Sequence, residues 1–156
     1  MDINKLVKES KCILAVKLAE RASLYLQEDA YKDLIHKAIK FCWEWMDTYK
    51  NNFGDTLYTF LDNEEDGFTV FQEMEENEKK VHAWDCIIDA IAYVSRAAYE
   101  KDGIKFLPEP IEMVDDHILD HLIQSLILCD SNEKRCIENV YGELLDGSQP
   151  FPDGIG

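Results

Sequence analysis

The sequence predicts an all-α fold: a single compact domain of five to six packed helices. Three observations predict it. Apolar residues recur at helical spacing along nearly the whole chain, no stretch shows convincing strand alternation, and no internal repeat is present. At 156 residues the chain suits one domain with a core of its own, and a hydrophobic content of 46% is too high for disorder despite the charge. The helical domain is expected over residues 1–146. Residues 147–156, with two prolines and three glycines, are expected to form a flexible C-terminal tail.

Each element has its own signal. Ile3, Val7, Leu14, Leu18 and Tyr25 lie on one stripe, which predicts a first helix over 3–26. A second helix starts after Asp29 as N-cap and runs to about residue 49. Its face of Leu34, Ile35, Ala38, Ile39, Cys42, Trp45, Met46 and Tyr49, widened by Trp43, is broad enough to place this helix centrally in the core. Asn51-Asn52-Phe53-Gly54 stops it, with Gly54 a candidate left-handed C-cap. Asp55 caps a short helix over about 56–61, and the acidic loop 62–67 follows. Thr69 with Gln72 reads as a capping box that reopens helix to about residue 76, where Asn77 breaks or re-caps it. Val81, Trp84, Ile88, Ile91, Ala92, Ser95, Ala98 and Tyr99 predict a long helix that ends at Asp102-Gly103. Pro108 and Pro110 make 104–113 an extended connector. Asp115 or Asp116 then caps a helix carrying Ile118, Leu119, Leu122, Ile123, Leu126 and Ile127. Ser131 caps the last one, with Ile137, Val140, Tyr141, Leu144 and Leu145 facing inward.

Charge is unevenly spread. Residues 1–50 hold nine Lys/Arg against eight Asp/Glu, a net of +1; residues 51–156 hold seven against 24, a net of −17. Packing does not require such an excess, and its self-repulsion opposes folding. A field of one sign favours a basic partner or a cation and repels nucleic acid. The only basic doublets beyond the lysine-scattered first helix are Lys79-Lys80 and Lys134-Arg135, so a phosphate backbone finds no cluster to bind. Five cysteines (Cys12, Cys42, Cys86, Cys129, Cys136) lie in apolar stretches without metal-like spacing, which predicts free, mostly buried thiols in a reducing compartment. No signal peptide is legible after Met1-Asp2, and no apolar run is long enough to span a bilayer. The expected location is cytoplasmic, with no membrane partner.

Few residues carry recognisable chemistry. Asp62, Glu64, Asp66, Gly67 and Glu73 match much of an EF-hand-like calcium loop over 62–73, with hard oxygens around a glycine turn. Glu64 stands where a shorter ligand normally fits, Thr69 stands where an aliphatic residue usually sits, and a second loop is lacking; a solvated acidic turn explains the same residues. His82, His117 and His121, with Asp85, Asp89, Asp116 and Asp120, admit a metal site between facing helices, although the outward face of an amphipathic helix shows this spacing by default. No nucleophile turn and no phosphate-binding glycine pattern appears, so no catalytic residues and no cofactor are expected. Trp43, Trp45 and Trp84 read as core. Phe53, Tyr58, Phe60, Phe68 and Phe71 alternate with carboxylates, the composition of a protein-binding patch with an acidic rim; Phe60 and Phe71 equally fit the inward face of two short helices.

Trp84-Asp85-Cys86-Ile87-Ile88-Asp89-Ala90-Ile91-Ala92-Tyr93, then Leu107-Pro108-Glu109-Pro110-Ile111-Glu112, then Asp115-Asp116-His117-Ile118-Leu119 form an ordered series. With Asp55, Leu61-Asp62 and Glu64-Glu65 upstream, the series resembles the all-α immunity proteins of bacterial polymorphic toxin systems, the family numbered six. The resemblance extends over about residues 5–145. It implies an antitoxin that binds a cognate toxin domain and blocks its active site or substrate entry, without catalysis of its own. It also gives the charge a reason, since many such toxins are nucleases with basic surfaces and an acidic antitoxin mimics the phosphate backbone. The expected contact is the acidic segment: Asp62, Glu64, Glu65, Asp66, Phe68, Phe71, Glu73, Glu75, Glu76 and Glu78. The alternative is a cation-binding protein, using either the 62–73 loop or the histidine and aspartate groups.

Overall fold

Residues 1–147 are described by a computed structural model, and every regular element among them is helical. A 3-10 turn at Ile3–Lys5 precedes α1 (Lys8–Ser23), α2 (Asp29–Thr48), α3 (Phe53–Leu61), α4 (Phe68–Met74), α5 (Glu78–Lys101), α6 (Glu109–Glu112), α7 (His117–Cys129) and α8 (Glu133–Leu145). These eight α-helices exceed the expected five to six; α3 and α4 fall where short helices are expected, and α6 forms within the connector expected to be extended. The tail expected over 147–156 lies outside the described residues except for Gly147.

Two helices form the centre. Burial is unbroken from Cys12 to Val16 in α1 and from Ala90 to Ser95 in α5. Runs of that length pass more than once around a helix, so neither has a solvent face there. Ala15, Ala19 and Ala22 on α1, and Ala83, Ala90, Ala97 and Ala98 on α5, let neighbours approach closely on several sides. The central place expected for α2 is therefore corrected. Its Ile35, Ala38, Ile39, Cys42, Trp45 and Met46 are buried, but Lys37, Lys40, Glu44 and Asp47 leave the opposite face in water. The first stripe is also interrupted: Leu6 and Val7 are extended, and Val7 is exposed at the N-cap of α1.

Gly54 does not cap α2. The left-handed residues between α2 and α3 are Tyr49 (φ 52°) and Asn52 (φ 72°), and Gly54 lies inside α3. A Cβ on Gly54 would come within 2.7 Å of the Tyr99 ring, so the missing side chain is what lets α3 lie against α5. Ser95 donates a 2.9 Å hydrogen bond to the Gly54 carbonyl, and the Tyr99 hydroxyl bonds the Asp55 carboxylate beside it.

Trp84 is completely buried and gathers α2 and α4 onto α5. Its ring lies 5.4 Å from Tyr31, 5.3 Å from Phe68 and 5.7 Å from Phe71. Thr69 and Gln72 act over long range instead of forming a capping box. Thr69 donates to the Leu61 carbonyl at 2.9 Å, while Gln72 donates to the Val81 carbonyl at 3.1 Å and to Asp85 at 2.6 Å. Asn77 does cap α5, accepting the Lys80 N–H at 3.2 Å. The connector after α5 is not wholly extended, because Pro110 sits early enough in α6 that its missing N–H breaks no helical bond. Asp115 accepts the His117 N–H at 2.9 Å, and Asp130, rather than Ser131, accepts the Asn132 N–H at 2.8 Å.

Candidate functional site

The segment from Asp62 to Glu78 carries eight carboxylates and no cation. Its ends are fixed by the core. Leu61 is buried ahead of it, Phe68 is buried within it, and Gln72 ties α4 to α5. The loop before α4 is closed on itself. Asn63 accepts the Gly67 N–H at 3.0 Å through its carbonyl and the Glu65 N–H at 3.1 Å through its side chain. Asp62 accepts the Tyr58 hydroxyl at 2.7 Å, and Glu75 accepts the Asn77 N–H at 3.2 Å. Glu64, Glu65, Asp66, Glu73 and Glu76 are exposed, and among the described residues none has a cationic partner. Glu78 is likewise exposed and 3.8 Å from His82.

One residue of the expected contact is buried. Phe68 has no exposed surface and is part of the Trp84 cluster, so it supports the segment from below and offers nothing to a partner. Phe71 and Phe60 are half-buried and face inward. Phe71 lies 4.7 Å from Tyr31, and Phe60 lies 5.9 Å from Phe41 and 6.0 Å from Phe68. What remains at the surface is carboxylate over an aromatic support.

The cation-binding residues do not converge. Among the described residues, no three His, Cys, Asp or Glu side chains are grouped so as to hold a metal ion. Gly67 has a steric reason to be glycine, since a Cβ there would lie 2.6–2.8 Å from backbone atoms of Asn63 and Leu61. These three histidines instead face separate carboxylates: His121 bonds Asp89, His117 lies 3.2 Å from Asp115, and His82 lies 3.8 Å from Glu78 and 3.9 Å from Asp85. Asp116 is taken by Lys11 at 2.7 Å and by the Tyr93 hydroxyl at 2.8 Å, which tie α1, α5 and the start of α7 together.

Nucleophilic chemistry finds no better footing in the described residues. All five cysteines are free; four are buried and Cys136 is half-buried. Burial pushes the Cys12 thiol up to about 12 and raises Cys42 and Cys86 as well, which suppresses the thiolate that would react. A groove of about 390 Å³ between α1, α2 and α5 is lined by Lys8, Glu9, Cys12, Trp45, Tyr49 and Lys101, among others. Its charged groups are engaged with neighbours: Lys8 reaches Glu100 at 3.7 Å, Glu9 accepts the Tyr49 hydroxyl at 3.0 Å, and Lys101 lies over the Tyr49 ring.

Among the described residues, ion pairs from α1 reach later acids outside 62–78: Lys8 with Glu100, Lys11 with Asp116, and Arg21 with Glu133 at 2.6 Å. The exposed excess of 62–78 survives folding. Comparison with known proteins identifies the family. The model for immunity protein Imm6 matches residues 10–129, which is most of the chain. The chain belongs to the Imm6 immunity-protein family. No curated protein and no solved structure matches it. The Imm6 match spans α1 through α7 and includes the whole acidic segment; among the described residues, no helix of this family member is long and apolar enough to cross a membrane.

Two features of this Imm6 chain escape the sequence reading. Glu133 is buried although it starts a helix, held by Arg21 at 2.6 Å and by the Tyr25 hydroxyl at 2.6 Å. Both partners lie more than 100 residues away, so no local pattern marks it. Phe106 is the most exposed large apolar side chain described, at 94%. Its one sequence signal is that it falls on no helical stripe and stands two residues before Pro108.

Proposed function

We propose that this protein is the antitoxin of a bacterial toxin–immunity pair, binding its cognate toxin through the acidic surface of residues 62–78 and neutralising it without catalysis. The observation that carries this reading is the conjunction of Imm6 membership with five exposed carboxylates in that segment that have no cationic partner among the described residues. A toxin with a basic surface is the partner such a field attracts. Steering of this kind raises association rates by ~10- to 1000-fold at low salt, and rapid capture matters for a cell that makes a toxin lethal to itself. The structural support beneath the acids favours the same role. Phe68, Phe71 and Gln72 hold the segment against α5, so little ordering remains to be done when a partner arrives. The working location in this reading is the cytoplasm, beside the toxin's target.

Co-expression with the product of the adjacent reading frame tests it. Cells producing that polypeptide alone should stop growing, and cells that also make this chain should grow. Toxicity that this chain leaves unchanged would overturn the proposal.

A further inference from the structure

The connector between α5 and α7 carries an apolar knob. Phe106 is 94% exposed, and Ile104 and Met113 on the same connector are exposed at 46% and 77%. Isolated apolar side chains are ordinary on a protein surface. A nearly bare phenylalanine is different when its loop is pinned, because seating that ring removes ~150–250 Å² from water at little cost in order. Here the loop is pinned on both sides. Upstream, Gly103 adopts φ 70° and the Ile104 N–H donates to the Tyr99 carbonyl at 3.1 Å, closing the end of α5. Downstream, Ile111 is completely buried, and the Arg96 guanidinium donates to the Ile111 and Glu112 carbonyls at 3.2 and 2.8 Å. Pro108 and Pro110 remove backbone freedom between these anchors.

We infer that Phe106 is an apolar anchor of the toxin-binding surface, seating in a hydrophobic pocket of the toxin whose rim is cationic. This rests on the toxin-binding reading above and names a second contact for it. The charge around the knob selects the occupant. Glu109 and Glu112 are exposed on the same connector against one cation, Lys105 beside the ring, and neither carboxylate has a cationic partner among the described residues, so the connector keeps an acidic excess of one. A second copy of this chain would bring another net charge of −16 against the same face, which disfavours self-association. One ring also covers far less than the ~800 Å² per partner of a standard interface. The knob therefore acts as one anchor of a wider contact with an oppositely charged protein. The end of α5 from which its connector departs lies ~25 Å along that helix from Trp84, which holds the acidic segment, at 1.5 Å per residue. The two contacts are thus separable by mutation: the acids govern the approach, and the ring governs how long the complex lasts.

Binding kinetics against the purified polypeptide of the adjacent reading frame test this, with the full-length chain as wild type and as Phe106→Ala. The side chain is in water, so the variant should melt as wild type does by circular dichroism. The expected result is a dissociation rate raised ~30-fold or more with an association rate within ~3-fold, the pattern of a lost hot spot. Phe106→Leu should recover part of the loss. A Phe106→Ala variant that dissociates like wild type overturns the anchor and leaves the toxin-binding reading standing. Wild type failing to bind at all overturns both. Sedimentation of the chain alone supplies the remaining arm: a dimer that Phe106→Ala dissolves would assign the ring to a second copy and overturn the inference.

Discussion

Gly54→Ala puts two physical effects in direct opposition, and the structure decides which wins. Gly54 sits inside α3, where helix propensity alone favours alanine by about 1 kcal/mol. Packing opposes it. The added Cβ would meet three carbons of the Tyr99 ring at 2.7–2.8 Å, well inside ordinary van der Waals contact. The ring has little room to retreat. Tyr99 is 4% exposed, its hydroxyl bonds Asp55 in the first turn of α3, and Ser95 holds the Gly54 carbonyl at 2.9 Å. Forcing an extra carbon into such a contact costs about 1–3 kcal/mol. Subtracting the propensity gain leaves a net loss of up to about 2 kcal/mol, or a fall in Tm of up to about 8 °C for a chain of this size. Urea and thermal unfolding followed by circular dichroism read this directly. Gly142→Ala is the control, because nothing lies within 4 Å of a Cβ there and α8 should gain about 0.5–1 kcal/mol. If Gly54→Ala is stabilised as much as Gly142→Ala, the steric account of how α3 meets α5 is wrong.

Two further outcomes follow from groups outside the acidic segment. Glu133→Ala removes the buried carboxylate that holds Arg21 and Tyr25. The expected loss is about 2 kcal/mol in urea unfolding, below the full cost of breaking a buried pair because Arg21 is half exposed and turns to water. The second concerns pH. Burial lifts the Asp89 carboxyl to about 6, and its hydrogen bond to Asp89 raises His121 above the ordinary histidine range. Both folded values are raised, so the native state holds these protons more tightly than the unfolded chain does. The Asp89 contribution falls away as pH rises from the ordinary carboxylate range to about 6, and the His121 contribution falls as pH rises through its raised value. His121→Ala should therefore lower Tm more at about pH 6 than at about pH 8.5, modestly because His121 is largely exposed. An equal effect at both pH values would remove the pair from the stability account.

Much of the fold is legible in the sequence because helical stripes are local. The long run from Val81 to Tyr99 and the stop at Asp102-Gly103 are found where periodicity places them, and Asn77 caps α5 as a side chain three residues from an orphan N–H should. What periodicity misses is set by residues far away. Gly54 is glycine because of Tyr99 on another helix, and Glu133 is buried because Arg21 and Tyr25 meet it across the bundle. The choice of α2 as the central helix fails for a related reason: a wide apolar face measures how much a helix buries on one side, whereas α1 and α5 are enclosed because their alanines admit neighbours all round. In the candidate site, the carboxylates stay at the surface as their charge requires, but Phe68 does not. Alternation of aromatic and acidic residues looks the same whether the rings face a partner or the core, and only the position of Trp84 separates the two.

The most direct measurement is the salt dependence of association with the adjacent-frame polypeptide. Wild type is compared with a variant carrying Glu64→Gln, Glu65→Gln, Asp66→Asn, Glu73→Gln and Glu76→Gln. Electrostatic capture requires the variant to associate ~10-fold more slowly at low salt, with a flatter salt dependence and a dissociation rate within ~3-fold of wild type. The two should converge once salt screens the field. Identical association rates and identical salt slopes would show that these carboxylates do not recruit the partner.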